Sequence, residues 1–337
     1  MPLQRCTSNT RPGWRWGATG KCYTYTAGSS DAEAKRRAVL QGVAMGESSA
    51  TTNAVIAAEY FIQEASRRYA KKAEAAMQKE FVRHLTKVLN AVDADVAKAL
   101  RSGAIDMNDI RRSDQAVRNA FGLSKAEFNR AYRNFTLKAG SMGRDAAIRD
   151  FKLGLDFGDL NPHTQGLLEK HAIKACERTM ERMTGNVMST LKTSYDNGDS
   201  YYMMRSAISQ DFTNMKGYEL DRIARTETHS ATQQGNNLAC GEAGVEYTQW
   251  ITTGDTRVRH PEMHGQIVRQ EGLFTHPIEG WTMLYPGDDS SGADPDAFIN
   301  CRCFQVPFWM PAGMTAPNMP YFYEEDLVEA PPPTSQH

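Results

Sequence analysis

The stretch from Arg222 to Cys303 decides how the chain is read. It opens Arg222-Ile223-Ala224-Arg225-Thr226-Glu227 and passes Trp250. It then runs through Thr253-Gly254-Asp255-Thr256-Arg257-Val258-Arg259-His260-Pro261-Glu262-Met263-His264-Gly265 and closes on Asn300-Cys301-Arg302-Cys303. Its first part reads as helix. After Gly241 and Gly244 the period changes, and Val245-Glu246-Tyr247-Thr248-Gln249-Trp250-Ile251 alternates as a strand does. Short strands around Gln266–Val268 and Cys303–Val306, with a loop through Pro277 and Pro286 between them, complete a small α+β unit.

Cys301 and Cys303 lie two apart, so on a strand both face the same side. As thiolates they suit zinc, which takes four ligands and readily mixes sulfur with imidazole. His260 and His264 are four apart, a spacing that puts two imidazoles on one face of a helical turn, so the four residues make a candidate Cys2His2 site. His276 and Asp255 are the other candidates for the fourth ligand. The competing reading makes both cysteines small buried apolar residues and His264 an ordinary loop histidine. Arg225, Glu227, Asp255, Arg257 and Arg259 read as an ion-pair network bracing the loop to the helix. A catalytic reading, with Glu227 as general base beside a metal-bound water, fits less well. Four protein ligands leave zinc no open position, and HExxH, GxSxG and phosphate-loop motifs are absent from the sequence. Gly235-Asn236-Asn237 reads as a helix end.

The helical "IARTE" segment, the Asp-x-Arg-x-Arg…His loop ending in glycine, the Pro286-Gly287 turn and the terminal "NCRC" form an ordered series. In that order they resemble the C-terminal domain of the phage Mu F-like minor head (head morphogenesis) proteins, over roughly the last third of the chain. One departure is visible. The family loop usually separates the second arginine from the histidine, whereas His260 follows Arg259 directly; the spacing back from Gly265 favours His260 over His264. The resemblance implies a virion protein of the head, near the portal, assembled in the host cytoplasm in several copies per particle and acting in head morphogenesis. Implied partners are the portal protein, the major capsid or scaffolding protein, and packaged DNA met during packaging or ejection; no membrane and no catalytic residue are implied. Family members with cysteines in place of the loop's arginine and histidine support zinc as cofactor. The alternative class is a metal-dependent hydrolase or nuclease, or an effector carried in the head.

Composition sets the outer bounds. There are 39 Lys+Arg against 40 Asp+Glu, a net charge of −1, so any contact with DNA is local rather than global. No apolar run approaches the roughly 20 residues of a membrane span, and the start of the chain lacks a signal-peptide core. The six cysteines are therefore expected to be reduced. Residues 1–29 form an aromatic, Cys-bearing arm: Trp14, Trp16 and Tyr23 either fold back on their own domain or dock on a neighbouring subunit. A Cys6/Cys22 metal pair shows no further ligands. Residues 30–156 are helical, with Phe81, Leu85, Val88, Val92, Val96 and Leu100 as one apolar stripe, stopped by Ser102-Gly103. Ser124 to Glu127 has the form of a capping box. Arg111, Arg112, Arg118, Arg130 and Arg133 make the most basic patch and the candidate DNA or portal contact. Residues 157–310 are the Mu F-like unit, a helical lead-in (157–241) and an α+β core (242–310). The proline-rich tail (311–337) is expected to be disordered without a partner.

Overall fold

The computed structural model describes residues 3–8, 11–16, 22–24, 50–106, 109–252, 260–311 and 313–330, with side chains described for Cys22 and from Ala73 onward. The fold is α+β, a mainly helical body carrying a small sheet-containing C-terminal part. Its helices are α1 (Ala50–Arg101), α2 (Ile110–Leu123), α3 (Lys125–Phe151), α4 (Pro162–Asp196), α5 (Tyr201–Asn214) and α6 (Leu220–Glu242). The short helix α7 (Pro295–Phe298) lies in the C-terminal part.

The punctuation read from sequence falls where the helices end. Gly103, Gly154 and Gly198 all take positive φ just beyond helix termini, a conformation that disfavours side chains with a Cβ. Asn161 caps α4 by accepting from the Thr164 amide at 2.9 Å, with Pro162 in the first turn. Asp109 caps α2 by accepting from Arg112 N at 3.0 Å. The capping box at Ser124 does not form. Ser124 is helical itself and its side chain makes no cap hydrogen bond, because α2 runs into α3 with only this residue between. Between α5 and α6 a π-helical turn, Met215–Glu219, absorbs a kink at Gly217.

The apolar stripe of α1 meets α3 with Phe81 stacked on Phe135 at 3.9 Å and edge-on to Tyr132 at 5.0 Å. Leu89 takes the middle of the stripe and Val88 its edge. One apolar core runs from Met77 to Ala231, so helices from both sides of residue 156 share it.

The pairing of α3 with α6 is made by glycine. A methyl group on Gly143 would collide with the Thr232 carbonyl, and one on Gly235 with the Gly140 carbonyl. The two backbones therefore touch directly. Gly235-Asn236-Asn237 is thus a helix crossing, and α6 continues to Glu242. There the Glu242 carboxylate accepts from Arg144 (Nε 3.0 Å, Nη2 2.9 Å), Asn161 Nδ2 (2.6 Å) and Thr164 Oγ1 (2.7 Å), tying α3, α6 and the start of α4 together.

The C-terminal sheet has the order β5-β4-β8, all antiparallel: β4 (Tyr247–Ile251), β5 (Ile267–Arg269) and β8 (Phe304–Phe308). Beside it lie the hairpin β6 (Phe274–Thr275) and β7 (Thr282–Met283), and the pair β9 (Met314–Thr315) with β10 (Val328–Glu329). The part of the tail up to residue 330 is structured within the chain itself. Phe322 is buried, and its backbone exchanges two hydrogen bonds with Ile267, at 2.7 and 3.0 Å. At the N-terminus, β1 (Leu3–Ser8), β2 (Arg11–Trp16) and β3 (Tyr23–Thr24) form a three-stranded antiparallel sheet. Cys22 is disulfide-bonded, which corrects the expectation of a reduced thiol.

The glycine crossing yields the first prediction. Gly143→Ala should lose at least the roughly 1–3 kcal/mol typical of overpacking, because the obstacle is backbone. Gly185→Ala, at an exposed position of α4 with open space around it, should gain up to about 1 kcal/mol. Urea denaturation of the two variants beside the parent chain checks both signs.

Candidate metal centre

Strand β4 delivers Trp250 to the inside of the C-terminal part, and the chain returns to it at His260. There Thr252 Oγ1 donates to the His260 carbonyl at 2.8 Å. Pro261–Met263 is a single 3-10 turn with His260 at its N-cap, so His260 points inward, 0 % exposed. Asn300 takes positive φ (59°) and its amide donates to Thr226 Oγ1 of α6 at 3.2 Å. That bend turns Cys301 and Cys303 inward, at 1 % and 2 % exposure. The cysteines precede β8; a bend, not strand alternation, brings them together.

His260 Nδ1 lies 3.3 Å from Cys303 Sγ and 3.7 Å from Cys301 Sγ, and the three donor atoms all fall within 4.8 Å of one another. Zinc–sulfur bonds of about 2.3 Å and zinc–nitrogen bonds of about 2.0 Å at a tetrahedral angle put N and S about 3.6 Å apart. The two observed distances bracket that value. A thiol hydrogen bond accounts for only one of them, since a neutral imidazole nitrogen has one lone pair to offer. Burial pushes the Cys301 thiol well above its ordinary range, and the neighbouring Cys303 pushes it further. A divalent cation at this point would supply the positive charge that ionising the two buried thiols requires.

The surroundings are aromatic and dry. Trp250, Met263, Val268, Phe274, Trp281, Met283 and Ala297 pack with the two cysteines in one cluster. The His260 ring meets Trp250 edge-on at 5.5 Å and Trp281 at 5.1 Å. His260 Nε2 and Trp250 Nε1 are buried without hydrogen-bond partners among the described residues.

The remaining metal candidates fall elsewhere. His264 is exposed and its Nδ1 accepts from the Thr252 amide at 3.2 Å. A 3-10 turn three residues long, followed by extended backbone at His264, does not set residues i and i+4 on one face. His276 is buried, but its Nδ1 accepts from the amides of Ile278 (3.3 Å) and Glu279 (3.0 Å), which leaves the proton on Nε2, 3.7 Å from Glu262. Asp255, Arg257 and Arg259 lie outside the described residues.

Glu227 pairs with a residue the sequence reading did not single out. Its Oε2 lies 3.2 Å from Nε2 of His171 on α4, with both side chains buried. Burial by itself would lower the pKa of His171, but the hydrogen bond and charge of Glu227 outweigh it and hold the value above the ordinary one. Arg225 is half-buried, with its Nε unpartnered among the described residues. Around this pair, Gly287 packs against His229 and Ser230, and Arg178 forms an ion pair with Asp289. Asp288, fully buried, accepts from the Leu284 and Ser290 amides.

A second group missed from sequence is the carboxamide clamp between α6 and the sheet. Gln305 N donates to Gln233 Oε1 (3.2 Å), Asn236 Nδ2 to the Gln305 carbonyl (3.1 Å), and Gln305 Nε2 to Asn237 Oδ1 (2.8 Å). The only sequence signal for it is a run of polar residues on a helix that must be buried.

Of the basic patch, Arg118, Arg130 and Arg133 form surface ion pairs with Asp114, Glu127 and Glu169; Arg111 and Arg112 are exposed. The backbones of Trp14 and Tyr23 pair across β2 and β3, and that of Trp16 pairs with Leu3; their side chains lie outside the described residues. No helix among the described residues is long and apolar enough to cross a membrane. Comparison with protein-family models, with curated proteins and with solved structures finds no match for this chain.

The His171–Glu227 pair predicts a pH dependence. A raised histidine pKa stabilises the folded state below the unfolded value of about 6.5, and that contribution is lost as pH rises through the folded value. Melting temperature should therefore decline above about pH 6.5, and Glu227→Gln should remove this part of the profile. An identical profile in both proteins would exclude the pair as its source.

Proposed function

We propose that this chain is a phage minor head protein of the Mu F-like kind, portal-associated, with a C-terminal part held together by one zinc ion. What supports the reading is that the four separate motifs behind the resemblance lie against one another. Thr226 of the helix holds Asn300, His260 of the loop meets Cys301 and Cys303, and the Pro286-Gly287 turn packs on His229 and Ser230 one turn further along the helix. Residues some eighty positions apart thus share one centre.

Zinc fits this role by chemistry. One imidazole and two sulfurs are a borderline-soft donor set that suits zinc; a structural site takes a fourth donor, and the described residues supply three. Structural zinc contributes on the order of 10–16 kcal/mol in small peptides, a large supplement for a part built on strands of two to five residues. A scaffold role also agrees with Glu227, whose carboxylate is engaged by His171 and is not one of the metal-capable donors. Portal, capsid or scaffolding proteins, with packaged DNA, remain the proposed partners, and the head near the portal the proposed location.

Two experiments bear on this reading. Purified chain should carry close to one zinc by elemental analysis, and Cys303→Ser should release it and lower the melting temperature steeply; a metal-free chain of equal stability would end the zinc assignment. Glu227→Gln separates scaffold from enzyme. Stranding His171 in a buried pair costs about 3–5 kcal/mol, so melting temperature and incorporation into heads should fall together. Unchanged stability and incorporation with lost infectivity would point to chemistry at Glu227 instead.

A further inference from the structure

Between α1 and α3 the helical body carries a groove of about 280 Å³. Its apolar lining is Met77, Phe81, Val88, Ala131 and Phe135, with the Phe81 and Phe135 rings stacked at 3.9 Å. From Met77 to Val88 the groove follows about three turns of α1. Charge around it is lopsided. Lys138 donates to Glu80 at 2.8 Å and Arg130 pairs with Glu127 at 3.0 Å, so each carboxylate of the lining is matched by a cation. Lys87 lines the same groove with no ion pair among the described residues. Lys79 and Arg83, also without ion pairs among the described residues, precede it on α1 at intervals of four, and all three side chains are exposed. Helix residues at i, i+4 and i+8 form one line in steps of about 6 Å. A row of unmatched positive charge therefore runs beside the groove and joins its rim at Lys87.

We propose that this groove docks an acidic amphipathic helix of a partner protein, with its apolar side chains seated over Phe81 and Phe135 and its carboxylates ranged along Lys79, Arg83 and Lys87. None of the groove's lining belongs to the metal centre, so the two stand or fall separately. Three observations select this occupant. The unmatched cations repeat at the helical interval, which a second helix with carboxylates at the same interval meets one for one. The groove is smaller than the roughly 300–1,000 Å³ of small-molecule sites, yet it extends along α1, which suits a row of side chains from one helix face. Its lining also carries Glu80 and Glu127. Those carboxylates repel a phosphate backbone, and an apolar floor offers phosphates nothing, so nucleic acid fits the groove less well than a peptide that brings both apolar and acidic groups.

The test uses the full chain and a fluorescein-labelled synthetic helix of leucine and glutamate, with leucines at i, i+3, i+4 and i+7 and glutamates flanking them. Binding is followed by fluorescence anisotropy. The acidic helix should bind with an affinity that falls as salt rises, while a copy with lysine for glutamate and a copy with serine for leucine should not bind. Lys79→Glu combined with Arg83→Glu and Lys87→Glu alters only exposed side chains and should weaken binding about tenfold or more. Ala131→Trp, which fills the groove, should weaken it as much with the salt dependence kept, and melting temperatures show whether each variant is folded. The serine peptide reads the apolar contribution even if Ala131→Trp does not fold. No binding of the acidic helix, or equal binding of the serine peptide, overturns the proposal. Loss in the charge variant alone, with a DNA duplex displacing the peptide, overturns it in favour of a surface for polyanions. Self-association of the chain in sedimentation, abolished by the same charge reversals, overturns it in favour of a second copy.

Discussion

The structure depends on two helices whose backbones touch. Gly140 and Gly143 on α3 and Gly235 on α6 bring carbonyls where side chains would otherwise stand. With that separation α6 sits deep in the body and is buried over nearly its whole length. Burial on all sides then requires its polar residues to find partners, since an unpaired buried amide or carboxylate costs more than a made bond returns. The helix answers with one partner at each level. Glu227 meets His171, Thr226 takes the Asn300 amide, Asn236 and Asn237 hold Gln305, and Glu242 closes on Arg144, Asn161 and Thr164. The helix is polar in sequence and interior in space; these bonds satisfy part of its polar side chains, while Arg225 Nε, Thr232 Oγ1 and Gln234 Oε1 are buried without hydrogen-bond partners among the described residues.

The C-terminal part is organised by a different principle. Its strands are short, its loops are long, and its own apolar cluster is small. Such a unit orders many residues for each side chain it buries, so a crosslink would contribute more to it than to the helical body. The convergence of His260, Cys301 and Cys303 supplies the donor atoms for one, with the rings of Trp250 and Trp281 packed against His260. His260 Nε2 and Trp250 Nε1 are buried without hydrogen-bond partners among the described residues. A metal-bound histidine ordinarily gives its second N–H to an acceptor, and that acceptor is not among the described residues.

The two parts meet at α6, and this sets what a change in one does to the other. The carboxamide clamp fixes β8 to the helix, and the bend at Asn300 that presents both cysteines is fixed to Thr226, the residue before Glu227. A loss of packing at the α3–α6 crossing therefore shifts the floor on which Cys301 and Cys303 stand.

Much of this was legible from the residues alone. Periodicity gave the helices, glycine and proline gave their ends, and the switch to alternation after Gly244 placed β4; each is a local property, set by backbone sterics and by which side chains can be buried together. The pairing of His260 with Cys301 and Cys303 was legible too, because few residue types make that chemistry. What only the tertiary structure decided is what depends on contacts between distant segments. Gly235-Asn236-Asn237 has the local signature of a helix end, yet it is the crossing with α3, because the partner that makes glycine favourable there is nearly a hundred residues away. His264 has helical spacing to His260, yet a 3-10 turn sends it to solvent. Glu227 also meets His171, which lies across a helix interface that no spacing within the chain reveals. Sequence patterns report which faces must be buried; which buried face meets which is fixed by the fit between them.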